Sequence, residues 1–202
     1  MRAAQRLGWA GPAAAALFAA SLIGFAAIRT DGYTHATKAV SELGAVDAPN
    51  ALGFNLLGFV LPGLLVVALA GGLRAALKST AGPLLLAISG LFFLGAGVFP
   101  VDMTAQSSAS SVAHLAAAQL SALAFAIAIF PIGSAMRRRP HFAALGRVTP
   151  WFLLFLLANI AWQIVWQATG SILPGWGQRI AFGGYFAWAA LAGYRLTRLR
   201  RA

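Results

Sequence analysis

His35, Glu42, Asp102 and His114 are the side chains of this 202-residue sequence whose types could do chemistry. Two imidazoles and two carboxylates can hold a divalent ion such as zinc and leave one position open for water. Alternatively, a histidine–carboxylate pair can act as general base for ester hydrolysis or acyl transfer, with Ser41, beside Glu42, as the candidate nucleophile. The spacing matches no known ligand signature: no segment carries two histidines four apart, and no Gly-x-Ser-x-Gly elbow is present. Each residue also has an ordinary structural use. Lys38 and Glu42 are four apart and can pair, Ser41 can cap or turn a chain end, Asp102 follows Pro100 into a turn, and His114 can bond a loop carbonyl. A site exists only if the surrounding elements bring these groups together.

The composition fixes what those elements are. With 60% hydrophobic residues, 9% charged residues and a mean hydropathy of +0.79, the chain has far more apolar surface than one soluble core could hide. The expected class is an all-α, polytopic integral membrane protein. The net charge of +11 sits in short basic clusters between apolar runs, so it orients the chain in a bilayer and does not call for nucleic acid. The absence of cysteine excludes disulfides, thiolate metal sites and cysteine nucleophiles.

Six windows are long and apolar enough to span: 9–28, 51–73, 81–99, 112–135, 148–168 and 180–196. They predict a six-helix bundle forming a single transmembrane domain over 1–202. Twelve basic residues fall before the first window, after the second and fourth, and after the last, whereas the alternate loops hold only Arg29, Lys38 and Arg179. The positive-inside rule then puts both termini in the cytoplasm, the chain in the cell membrane, and segment 33–55 outside. The first run is expected to be retained, because 26–29 lacks a convincing small-residue cleavage site.

The outer loops and span ends must position the candidate residues. Tyr33, Ala36, Val40 and Leu43 recur at helical spacing and predict a short helix lying on the membrane surface, stopped by Gly44. Asn50 is the expected N-cap of the second span, Asn55 lies just inside it, and Pro62 is expected to kink it. The loop 102–111 has no basic residue, and His114 follows in the first turn of the fourth span. On the fifth span Asn159, Gln163 and Gln167 recur every four residues beside Trp162 and Trp166, so this amide face should look into the bundle. Trp176 suits an interface anchor, and Gly90, Gly183, Gly184 and Ala187 suit close helix packing. His141, beside Arg137, Arg138 and Arg139, is expected to meet anionic headgroups. No charged residue occupies the centre of a span, which argues against ion-coupled transport.

The run Ser41–Glu42–Leu43–Gly44, then Pro49, Phe54–Asn55, Phe99–Pro100–Val101–Asp102 and His114, in this order relative to the spans, resembles the domain of unknown function 998 family. The resemblance covers most of the chain. It implies a six-span bacterial or archaeal membrane protein and no defined activity. The Ser-acid-Leu-Gly run followed by proline is more distantly similar to the first loop of the Frag/DRAM/Sfk group, some members of which are linked to lipid remodelling or distribution. That similarity implies lipid handling and carries no catalytic residues with it.

Together these readings give an expected function: binding or handling a lipid-like molecule in an outward-facing polar pocket. Its ligand-binding candidates are His35, Asn55, Asp102, His114, Asn159, Gln163 and Gln167, and its partners are membrane lipids. Two alternatives stand. One is an outer-leaflet hydrolase or acyltransferase using Glu42, Asp102, His114 and Ser41, with His35, Glu42, Asp102 and His114 as candidate metal ligands. The other is a passive small-molecule pathway along the amide face. No cofactor is expected beyond the divalent metal of the first alternative.

Overall fold

The computed structural model describes residues 2–169 and 174–199, the side chains of 166, 167 and 174 excepted. Alanine, leucine and phenylalanine runs, broken by polar turns, give six long helices: α1 (Arg2–Ala27), α2 (Ala51–Leu77), α3 (Ala81–Val98), α4 (Ala109–Arg137), α5 (Ala143–Ala168) and α6 (Pro174–Thr197). No strand occurs among the described residues. Five of these helices, α1 to α5, are long and apolar enough to cross a membrane, as befits a multi-pass membrane protein. The last, α6, has the length but is not among them.

Most helices extend beyond the predicted windows. Helix α1 begins at Arg2 instead of residue 9, and α5 at Ala143 instead of 148, because the basic residues at these ends continue the helix. The predicted surface helix in the first loop is corrected: only Val40–Gly44 is helical, as one 3-10 turn. Val40, Leu43 and Gly44 are buried there, so the turn is tucked into the end of the bundle. Asn50 does precede α2, but with φ +60° and no side-chain cap bond, so it reverses the chain without capping the helix.

Sequential neighbours pack side by side, and α6 returns against α1, closing a ring. Tight contacts rest on missing side chains. A methyl group on Gly63 of α2 would lie 2.6 Å from the carbonyl oxygen of Gly90 on α3, and one on Gly11 of α1 would overlap the Ala189 carbonyl of α6. Gly183 and Ala187, by contrast, are exposed, and nothing lies within 4 Å of a Cβ added at Gly183, so these two are not packing surfaces.

Aromatic rings fill the space inside. Phe18 stacks on Phe186 with centroids 4.6 Å apart, and Phe125 meets Tyr185 at 4.4 Å. A polar knot joins three helices at this depth. Ser89 Oγ donates to the Ser121 carbonyl at 2.9 Å, Ser121 Oγ donates to the Ser89 carbonyl at 2.9 Å, and the Tyr185 hydroxyl lies 3.1 Å from Ser89 Oγ. In hydrocarbon an unmade bond costs more than in water, so reciprocal pairing lets hydroxyls serve as interhelical ties.

The expected disturbance around Pro62 takes a specific form. Residues Asn55–Val60 of α2 form a π-helical stretch, and the Leu61 N–H reaches back to the Leu56 carbonyl. Proline brings no N–H, and the wider register directly before it keeps the helix continuous, with Pro62 in the first turn of the α-helical part.

Gly63→Val should force α2 and α3 apart and lower stability by about 1–3 kcal/mol, whereas Gly183→Ala should leave it unchanged. Thermal unfolding of the two detergent-solubilised variants is the comparison. Equal midpoints would refute the close-contact reading.

Candidate functional site

The π-helical stretch turns Asn55 towards the first loop. Asn55 is buried, and its Nδ2 donates to the Gly44 carbonyl at 2.8 Å. Gly44 must lack a side chain here, since a methyl group would overlap Asn55 Oδ1. That oxygen is buried with no hydrogen-bond partner in the structure. On the other side of the stretch, a methyl group on Gly97 of α3 would come within 2.9 Å of the Asn55 carbonyl oxygen. The π-helical stretch is thus held between the 3-10 turn and the end of α3.

The other residues of the Ser-Glu-Leu-Gly and Phe-Pro-Val-Asp runs complete this joint. Val46 N–H donates to the Val101 carbonyl at 2.8 Å, tying the first loop to the exit of α3. His114 is buried, and its Nδ1–H donates to the carbonyls of Ala96 at 2.7 Å and Phe99 at 3.0 Å, orphan acceptors of the α3 C-terminus. Asp102 folds back on its own loop, accepting from Thr104 N–H, Thr104 Oγ1 and Ala105 N–H at 2.8, 2.7 and 2.9 Å. The Thr104 side-chain bond, then the backbone bonds, hold its pKa below the ordinary carboxylate value. Ser108 caps α4 by accepting from Ser111 N–H.

A second set of contacts fastens the first loop to α6. Arg179 Nε donates to His35 Nδ1 at 3.0 Å, and the guanidinium also donates to the Lys38 carbonyl, the Gly175 carbonyl and the Tyr33 hydroxyl. Gln178 Oε1 accepts from Val40 N–H at 2.8 Å. Tyr33 is half-buried, with Arg29 and Arg179 near its ring at 5.3 and 5.8 Å, and burial raises its pKa. Arg29 pairs with Asp31, whose pKa falls to about 2 through that bond, and donates to the Glu42 carbonyl at 3.1 Å. Glu42 accepts from Ala39 N–H at 2.8 Å and forms the expected pair with Lys38 at 3.4 Å.

The four residues proposed as metal ligands therefore have separate engagements. His35 meets Arg179, Glu42 meets Lys38 and Ala39, Asp102 meets its own loop, and His114 meets the end of α3. Among the described residues no three histidine, cysteine, aspartate or glutamate side chains gather as a metal-binding group. Ser41 bonds to neither a histidine nor a carboxylate among those residues.

The amide face does enter the bundle. Asn159 is buried and accepts from Gln163 Nε2 at 2.8 Å, while its own Nδ2 is buried without a hydrogen-bond partner. Gln163 packs where a side chain on Gly177 of α6 would otherwise lie. The side chains of Gln167 and Trp166 lie outside the described residues.

One concavity among the described residues is apolar. A groove of roughly 250 Å³, open to the outside of the bundle, is lined by Leu17, Ala20, Ser21, Gly24, Phe25 and Ile28 of α1's stripe, with Leu57 of α2 across from them. None of the candidate ligand-binding residues lines it. Sequence reading missed this groove and the Ser89–Ser121–Tyr185 knot. The available signals were the recurrence of 17, 20, 21, 24 and 28 on one helical stripe with small residues at its centre, and lone serines inside apolar runs.

Residues 12–195 match the family described as Protein of unknown function (DUF998). No curated protein and no solved structure matches the chain.

Two outcomes are expected from the joint and the fastening. Gly44→Ala displaces Asn55 and should cost about 1–3 kcal/mol of stability, read as a lowered thermal midpoint. His35 can accept from Arg179 only as the neutral ring, and burial, then the Arg179 charge, hold its pKa below the ordinary 6.5. Its folded value lies below its unfolded one. The stabilisation is therefore complete above pH 6.5 and is lost as pH falls through the depressed value. Lowering the pH from about 7 to about 5 should lower the wild-type midpoint more than that of His35→Asn, whose Oδ1 accepts without titrating. Parallel curves would sink this assignment.

Proposed function

The chain belongs to the DUF998 family of proteins of unknown function, and on that footing we propose that it is a six-span protein of the cytoplasmic membrane that holds a lipid-like molecule at its outer end. The distribution of basic residues supports a cytoplasmic side for both termini. The sixth span is α6. Gly175 at its start abuts the carbonyls of His35, Ala36 and Lys38, while Gly193 and Thr197 near its end abut Gly8 of α1. It runs the full depth of the ring between α5 and α1, and Gln178 and Arg179, which lower its apolarity, bond the first loop.

The observation that carries the functional reading is the groove between α1 and α2. Ser21 is its one polar lining residue, and the space above Gly24 is open. At its upper end Ile28 is followed by Arg29 and the polar loop bearing Tyr33, His35, Lys38 and Glu42. An acyl chain in the groove sets its headgroup against that loop, so the occupant is an amphiphile with one chain in hydrocarbon and its polar end at the outer leaflet. Binding of this kind needs no covalent step. The fastening of the loop through Arg179, Gln178 and Arg29 gives the headgroup a fixed polar surface instead of a mobile one.

A Cβ added at Gly24 meets nothing within 4 Å, so Gly24→Leu can enter the groove from open space, and it replaces a poor helix former with a good one. The variant should retain its fold and lose at least about tenfold in labelling by a photoactivatable phospholipid, in line with a bulky side chain competing for one apolar pocket. Labelling equal to wild type, with the fold intact, would overturn the proposal.

A further inference from the structure

All four carboxylates of the chain, Asp31, Glu42, Asp47 and Asp102, lie in the first loop or in the loop after α3. The opposite end has none, yet it carries Arg2, Arg6, Arg74, Lys78, Arg137, Arg138, Arg139, Arg147, Arg195 and Arg198 among the described residues. Both ion pairs found among those residues, Arg29–Asp31 and Lys38–Glu42, belong to the carboxylate-bearing end.

The connection from α4 to α5 is a strap across this basic end. Arg139 donates to the Leu77 carbonyl at the end of α2 at 3.3 Å, and Arg137 donates to the Gly146 carbonyl at 3.2 Å. His141 Nε2 lies 2.6 Å from the Arg195 carbonyl near the end of α6. Phe142 is buried beneath the strap. The Arg139 and His141 bonds meet carbonyls at the negative C-terminal ends of α2 and α6, and none of these bonds supplies the cations with a carboxylate. Lys78 follows Leu77, the partner of Arg139, and Arg138 precedes Arg139; both are exposed, as is Arg147, one residue beyond Gly146.

An apolar stripe continues directly from that cluster. Val148, Trp151, Leu154 and Phe155 of α5 are 45, 67, 53 and 47% exposed, and they descend the helix from Arg147. A ligand that meets Lys78, Arg138 and Arg147 and also follows this stripe must have an anionic head and a hydrocarbon body. We propose that the strap end is a binding site for anionic phospholipid, with the phosphate held by Lys78, Arg138 and Arg147 and an acyl chain lying along Val148, Trp151 and Leu154. The stripe favours a lipid over nucleic acid or an acidic protein, which would use the charges and leave the apolar residues idle.

The test uses the full chain in neutral detergent, titrated with phosphatidylglycerol or phosphatidylcholine in mixed micelles while thermal stability and retained lipid are followed. Phosphatidylglycerol should raise the midpoint further than phosphatidylcholine and be retained in excess over it, since phosphatidylcholine can fill only the groove between α1 and α2, and inorganic phosphate should not compete at equal concentration. The triple variant Lys78→Asn, Arg138→Gln, Arg147→Gln should bind roughly tenfold or more weakly. Asparagine suits position 78, where φ is +51°. Arg6→Gln, an exposed cation of the same end that lies outside the proposed site, should bind as wild type. Should the triple variant lose its fold, Trp151→Ala alone reads the same site through reduced lipid retention. Equal stabilisation by both lipids, unchanged binding in a folded triple variant, or competition by free phosphate or an oligonucleotide would each overturn the proposal.

Discussion

The bond from Asn55 to the Gly44 carbonyl is the constraint on which the outer end depends. A chain leaving hydrocarbon exposes backbone groups just where water becomes scarce, and each needs a partner. Asn55 supplies one from inside a spanning helix, and it can reach only because the π-helical stretch widens the turn that carries it. The same widening seats Gly97 against the other side of the stretch and keeps α2 continuous up to Pro62. One local departure from α-helical register therefore fixes the first loop, the exit of α3 and the path of α2. The orphaned Asn55 Oδ1 is a cost of that arrangement, on the order of 1–3 kcal/mol where a buried acceptor is unpaired.

The few polar side chains of the molecule follow the same logic. His114 closes the C-terminus of α3, Arg139 that of α2, His141 that of α6, and Arg179 joins carbonyls of the first loop and of the first turn of α6. Groups that looked like catalytic candidates are acting as helix and loop ends. Among the residues that carry the family resemblance, Asn55 bonds the backbone of Gly44 and His114 that of Phe99, while Glu42 and Asp102 bond within their own loops. Sharing a neighbourhood and sharing a reaction centre are different things, and order along the chain reports only the first.

This explains what was legible in the sequence. The apolar runs and the placement of arginines specified a helical membrane protein, because hydrophobic length and charge exclusion are properties of composition over a window. The inward face at Asn159 was legible for a similar reason, since four-residue spacing maps directly onto a helix surface, whereas the Lys38–Glu42 pair forms although only Val40–Gly44 is helical there, as a 3-10 turn. The surface helix was not. Tyr33, Ala36, Val40 and Leu43 have helical spacing, yet Arg179 and Gln178, some 140 residues away, claim the backbone of 38 and 40 and hold the segment in turns. Nothing local announces that competition. The π-helical stretch was hidden likewise, because a register change is decided by what packs on both sides of Asn55.

Charge segregation sets how the two ends can work. The carboxylate-bearing end pairs its cations with carboxylates and neutral acceptors within the protein, so its surface is fixed and close to neutral, and an amphiphile held as proposed would be selected mainly by how its chain fits the groove beside Gly24. The basic end has no internal counter-charge, so its cations must be balanced by ions or headgroups from outside. A single-chain groove above and a charged strap below would then sample different leaflets with different chemistry: shape in one, charge in the other. The ring of close glycine contacts links them mechanically. With Gly63 on Gly90 and Gly11 on Ala189 there is no slack for the helices to slide, so occupancy at one end is felt at the other only if the packed ring itself has a second arrangement.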